Sequence, residues 1–176
     1  AGSLDPETRH AGLLQQAKIL YRMNQTAAAA QALQGIPDGS LLRSERMVLD
    51  ARLLIAEARA LSAARQLGEP VSAESAERYR KAIDLLRVAA GFDLLENDST
   101  SKTRYLIGVC YAEMDDTRAA VEQFYRVTEN HPATEEDVAA TLLRADVLRA
   151  DGQNEEAVTP VSAAIATAGN PLEFSN

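Results

Sequence analysis

Two histidines, one cysteine and a handful of acidic clusters are the side chains here whose types could do chemistry. Neither His10 nor His131 belongs to a metal-binding spacing such as H-E-x-x-H. His131 precedes Pro132 at an expected helix end, where a cation is favoured by the C-terminal dipole. Cys110 is alone, so it forms no internal disulfide and no cysteine metal cluster. Set in an apolar run beside Gly108, it reads as a packed thiol. Asp115-Asp116 could hold a cation, but no calcium-loop pattern follows, and the pair reads as a solvated turn. Glu135-Glu136-Asp137 suits the positive end of a helix. No serine lies in a G-x-S-x-G elbow, and no glycine pair makes a phosphate loop. Without a convergent nucleophile, base and oxyanion donor, the sequence points away from an enzyme and calls for no cofactor and no metal.

Composition narrows the classes further. A net charge of −8 is spread along the 176 residues rather than gathered in a tail. Acids outnumber bases, so there is no electrostatic footprint for a phosphate backbone, and nucleic acid is not an expected partner. No apolar run approaches the ~20 residues of a membrane span, so direct membrane insertion is not expected. No secretory signal pattern opens the sequence, and the cysteine count leaves the compartment open. Glycine is sparse, aromatics make up only 5%, and the alternation that marks strands is missing. The expected class is all-α.

The elements that would position these side chains are clearest from Arg104 to Pro132, RYLIGVCYAEMDDTRAAVEQFYRVTENHP. Two short amphipathic helices are split there by a polar turn at Asp115-Asp116. Ile107-Gly108 is followed by Tyr111, then by Ala120 and Phe124, and finally by Pro132. The spacing has a mechanical reason. Gly108 lets the second helix approach the first, Ala120 does so from the other side, and Tyr111 and Phe124 fill the space between. A helix pair this short cannot bury its apolar face alone and must stack on neighbours.

This pattern resembles the L-G-x2-Y…A-x3-F…P signature of the tetratricopeptide repeat family, with Arg104 in place of the usual tryptophan. The resemblance implies a right-handed α-α superhelix, a solenoid of about four helical hairpins, in one domain that reads as a piece of a longer array.

The remaining hairpins are degenerate copies. Asp5-Pro6-Glu7 starts a helix that runs to about Met23, and Asn24-Gln25-Thr26 turns the chain into a short helix over 27–33. Setting Ala29 beside Ala120 puts Ala17 at the Gly108 place, Leu20 at that of Tyr111 and Leu33 at that of Phe124. A helix is expected over 40–66, with Met47, Ala51, Leu54, Ala58 and Leu61 in a 4-3-4-3 stripe. Its partner, capped by Ser72 and carrying Tyr79, Ala82, Ile83 and Leu86, runs to about Ala90. Gly91 to Leu95 finish that helix or add a short turn, and residues 97–101 read as a loop. After a helix capped at Thr134, Gly152-Gln153-Asn154 turns the chain once more. There Ala157 matches Ala120, Ala145 the glycine site, Leu148 the tyrosine site and Val161 the phenylalanine site, while Pro160 should kink the last helix. Gly169-Asn170-Pro171 ends it. The expected units are therefore 5–36, 40–95, 101–132 and 135–169.

In this family the first helix of each pair lines a groove that takes an extended peptide or a partner helix. The resemblance thus implies a protein or peptide partner. By register, the groove residues are Lys102, Tyr105, Val109, Ala112 and Glu113 in the clear repeat. Their counterparts are Leu14, Lys18, Tyr21 and Arg22 in the first unit, and Leu142, Asp146 and Arg149 in the last. One subfamily grips a chaperone's terminal carboxylate with lysine and asparagine. Tyr105 and Val109 stand at those places, so that clamp is not expected, although Lys18 with Arg22 could hold one carboxylate. The alternative is a structural spacer or a homodimer, formed through the long 40–66 helix.

Overall fold

The computed structural model describes residues 5–66, 69–92, 97–130 and 135–168, without the side chains of 92, 97–99 and 163–168. Among them are eight helices and no strand: α1 (Pro6–Arg22), α2 (Thr26–Gln34), α3 (Arg43–Ser62), α4 (Ala73–Phe92), α5 (Asn97–Glu113), α6 (Thr117–Asn130), α7 (Glu135–Ala150) and α8 (Asn154–Ala168). The chain is all-α and built of helical hairpins. It divides into two compact units at Glu96/Asn97.

Local chemistry sets three of the helix starts. The Asp5 carboxylate accepts from the Thr8 N–H at 3.3 Å, with Pro6 at the first helical position. Ser72 Oγ accepts from Ser75 N–H at 3.1 Å ahead of α4, and Asp116 Oδ1 from Ala119 N–H at 3.1 Å ahead of α6. Three hairpin turns then share one main-chain pattern. Asn24, Asp115 and Gly152 all have positive φ, at 58°, 61° and 81°. The next residue in each case donates five residues back: Gln25 N to Leu20 O, Asp116 N to Tyr111 O and Gln153 N to Leu148 O, at 2.9–3.0 Å. This is the left-handed C-terminal cap that satisfies the last carbonyls of a helix. The same residue's carbonyl then accepts from Ala29, Ala120 and Ala157, each at 3.0 Å.

Within the first unit, α1 and α2 bury Leu14, Ala17, Ala29 and Leu33, with Ile36 just after α2, against Leu49 and Leu53 of α3. The α3–α4 hairpin buries Met47, Ala51, Ile55 and Ala58 on one helix, and Tyr79, Ala82, Ile83, Leu86 and Ala89 on the other. Most of the 4-3-4-3 stripe is thus already used, leaving Leu54 half-buried and Leu61 exposed. Ser75, fully buried, donates to the Ala58 carbonyl at 3.1 Å and accepts from Ser62 and Ser72 at 3.0 and 3.1 Å, which ties the two helices at their connection.

In the second unit, Val109, Ala120, Phe124, Val127 and Ala140 form the core, with Tyr105, Tyr111, Leu143 and Val147 packed against it. Here α6 lies between α5 and α7 in sequence and packs on both, α5 also touches α7, and α8 closes on α7.

Several boundaries depart from the sequence reading. α3 begins at Arg43 and ends at Ser62, shorter at both ends than 40–66. Ser40 is instead a buried turn residue, donating to Glu7 Oε2 at 2.9 Å and accepting from Leu42 N–H at 3.2 Å. Beyond the helix, the Arg65 guanidinium and the Gln66 N–H both turn to Glu69. Residues 97–101 form the first turns of α5 rather than a loop. One turn on, Thr103 Oγ1 donates to the Thr100 carbonyl at 3.0 Å, a local bond that satisfies this buried threonine within the helix. α8 continues through Pro160, at the cost of one main-chain donor. Gly68, Asp93 to Leu95, His131 to Thr134 and Gly169 to Asn176 lie outside the described residues.

Candidate interaction surface

The residues singled out by register fall into three environments. Leu14 and Val109 are 2% and 6% exposed, and their side chains belong to the two cores. Tyr21 and Tyr105 are half-buried, each packed on the core of its own unit. The Tyr105 ring lies 6.2 Å from that of Phe124, tilted by 47°, so one edge is fixed by the core. Arg22, Lys102, Leu142, Asp146 and Arg149 are exposed, and Lys18, Ala112 and Glu113 are half-buried.

Charge placement changes the reading of the first unit. Lys18 Nζ lies 2.6 Å from Glu45 Oε2, joining α1 to α3. Its charge is therefore already answered, and of the Lys18–Arg22 pair only Arg22 stands exposed. Arg46, also on α3, bonds the Ile36 carbonyl at 2.8 Å and Asp38 at 2.5 Å, fixing the turn after α2. One helical turn further on, burial pushes the Asp50 carboxyl above its usual range, against the opposing pull of Arg46.

In the second unit, α5 offers Lys102, Tyr105, Ala112 and Glu113 along its first-helix face. α7, which touches α5, offers Leu142, Asp146 and Arg149. Asp146 and Arg149 pair with each other at 3.2 Å. Three features of this unit were missed in the sequence. Val138, in the apolar run of α7 but outside the groove set, is 59% exposed one turn before Leu142. Val158 is 62% exposed on α8. The Arg144 guanidinium lies over the Tyr125 ring at 5.2 Å, pinning α7 to α6 by a pairing that no local spacing signals.

The groups considered for chemistry lie apart. His10 Nδ1 is 3.3 Å from Glu7 Oε1 on α1, Cys110 is fully buried in α5, and Asp115-Asp116 forms the α5–α6 turn. Among the described residues, no three His, Cys, Asp or Glu side chains are grouped to hold a metal, and no helix is long and apolar enough to cross a membrane.

The family model for the tetratricopeptide repeat matches residues 11–38 and 102–134. No curated protein and no solved structure matches the chain.

Proposed function

From a chain that carries tetratricopeptide repeats over 11–38 and 102–134, we propose a non-catalytic interaction module. Such repeats generally mediate protein–protein contacts through stacked helices that present an extended surface. The module seats a peptide or a helix of a partner protein against the first-helix face, with α5 at its centre in the second unit.

One observation carries this reading. Tyr105 holds one edge of its ring against Phe124 while the residue remains partly open, with Lys102 a turn before it. An aromatic fixed before binding loses little rotamer freedom when a partner arrives, and this favours affinity by pre-organisation. Lys102 and Glu113 frame it with opposite charges, which sets the direction of a bound segment more than its strength.

The test is site-specific photo-crosslinking in cell extract. A photoreactive residue at Lys102 should give discrete adducts with a protein partner, whereas one at Glu122, exposed on the second helix α6, should not. Equal labelling from both positions would reject the assignment of the face.

A further inference from the structure

Two hairpins show what the face between their paired helices receives. Leu49 and Leu53 of α3 lie in one core with Leu14, Tyr21 and Leu33 of α1–α2. Leu143 and Val147 of α7 pack with Tyr105, Ala112 and Phe124 of α5–α6. The entering positions are the same, since aligning Ala51 with Ala145 sets Leu49 on Leu143 and Leu53 on Val147. The receiving positions also correspond: with Ala29 on Ala120, Leu14 falls on Tyr105, Tyr21 on Ala112 and Leu33 on Phe124. Where a receiving position is charged, the entering helix pairs with it. Lys18, in register with Val109, is held by Glu45 of α3 at 2.6 Å.

On the last hairpin the receiving face stands open. Matching Ala157 to Ala120 puts Leu142, Asp146, Arg149 and Val161 at the receiving positions. α7 and α8 enclose a groove of about 410 Å³ lined by Asp146, Arg149, Val158 and Val161. Val158 is 62% exposed, and Leu142, one turn before Asp146, is 55% exposed. The entering face of α1 is open in turn. Aligning Ala17 with Ala145 sets Gln15 and Ile19 where α7 has Leu143 and Val147. Gln15 is exposed, Ile19 is 56% exposed, and Met23, a turn further, is 59% exposed. A Cβ at Gly12, level with the buried Ala140, would meet nothing within 4 Å, which leaves room for a close neighbour.

The polar departures on the two faces match. The groove has Asp146 and Arg149, paired at 3.2 Å, where α5 has Val109 and Ala112. α1 has Gln15 where α7 has Leu143. A glutamine amide donates to a carboxylate and accepts from a guanidinium, whereas a leucine would cover both ions without bonding either. Net charge favours the same pairing. Residues 1–96 carry 12 acids and 12 bases, and residues 97–176 carry 14 acids and 6 bases. A second unit meeting another second unit would set like charges together, while α1 brings a balanced unit to the groove.

We propose that α1 of a second copy of this chain enters the α7–α8 groove as α7 enters α5–α6, with Gln15 at the Asp146–Arg149 pair and Ile19 on the apolar floor. The contact is heterologous, because each copy offers a groove in its second unit and a helix in its first. It goes beyond the partner-binding reading, which keeps Lys102 and Tyr105, and its test needs no other protein.

The test is sedimentation equilibrium of the full chain at physiological salt, over roughly 1 µM to 1 mM. The expected result is a mass that rises with concentration above 19.0 kDa. Ile19→Asp disables the entering helix and leaves the groove sound. Val158→Arg blocks the groove and leaves α1 sound. Each variant alone should stay at 19.0 kDa, because every contact then lacks one side. Their equimolar mixture should associate again and stop at twice that mass, since it holds one sound helix and one sound groove per pair. Circular dichroism melts establish that both variants are folded. An unaltered chain of 19.0 kDa at every concentration overturns the proposal. So does a variant that still associates alone, a mixture no heavier than its parts, or a foreign protein crosslinked at Val158 by a chain that stays monomeric.

Discussion

A Cβ atom added at Gly108 would stand 2.6 Å from Cε1 of Phe124 and 2.8 Å from its Cδ1. The two residues share one close crossing of α5 and α6, and Phe124 is fully buried, so its ring cannot swing away. Gly108 is kept bare by its neighbour's bulk, at a mid-helix position where alanine would otherwise be favoured by about 1 kcal/mol.

Gly108→Leu is therefore expected to destabilise the second unit by about 1–3 kcal/mol through overpacking. Pairing the smaller change Gly108→Ala with Phe124→Leu should recover part of the loss that Gly108→Ala causes, because the two sites are in contact and non-additive. Urea denaturation of the single and double variants checks this. Strict additivity would show that the two side chains do not compete for the same space.

The three shared turns predict opposite responses to opposite substitutions. Asn24 occupies the left-handed region at φ 58°, and Asn24→Gly should stabilise by about 0.5 kcal/mol as the backbone strain is relieved. Gly152, at φ 81°, should respond to Gly152→Ala with a loss of about 1–2 kcal/mol. Thermal melts of the two variants should move in opposite directions.

Asp50 predicts a pH dependence whose sign is fixed by burial. Its carboxyl titrates above the ordinary 3.8 in the folded chain, so the folded state holds the proton more tightly than the unfolded one. Stability is thus lost as pH rises from 3.8 through the folded value, and the full cost is present at neutral pH. Asp50→Asn should raise the melting temperature at pH 7, and the gain should vanish once the pH falls below about 3.8. A constant gain across that range would assign the effect to packing instead.

On the partner-binding face, Tyr105→Ala should weaken capture of the partner by at least about 1 kcal/mol. Tyr105→Phe keeps the ring against Phe124 and should cost far less. Lys102→Glu should slow association and alter its salt dependence, the usual mark of a charge at the edge of an interface. Binding kinetics of the three variants separate ring from charge. A Lys102→Glu variant with wild-type kinetics would remove that side chain from the surface.

Much of the fold was legible because it depends on small residues at fixed intervals. Gly108, Ala120 and Phe124 announce their crossing by type alone, and Ala29 and Ala157 repeat it where the aromatic residues have gone. The ends of α3 were hidden because Ser40 looks like a helix cap, yet its hydroxyl is used by Glu7, far away in sequence. The start of α5 was hidden for the converse reason. A run of asparagine, aspartate, serine and threonine reads as loop because such side chains compete for the backbone's hydrogen bonds, yet the helix runs through it. On the interaction surface, register placed Leu142, Asp146 and Arg149 on one exposed stripe. It could not foresee that Leu14 and Val109 would be buried or that Glu45 would hold Lys18, since those outcomes depend on which helix comes to lie alongside.

The recurrence of one hydrogen-bond pattern at Asn24, Asp115 and Gly152 bears on how such a sequence can drift. Asparagine, aspartate and glycine each serve where this chain reverses, since the reversal is written in peptide groups that all three share. Ancestry can fade from the side chains while the wiring diagram persists, and distant kin of this molecule will be better found by comparing turns than by comparing letters.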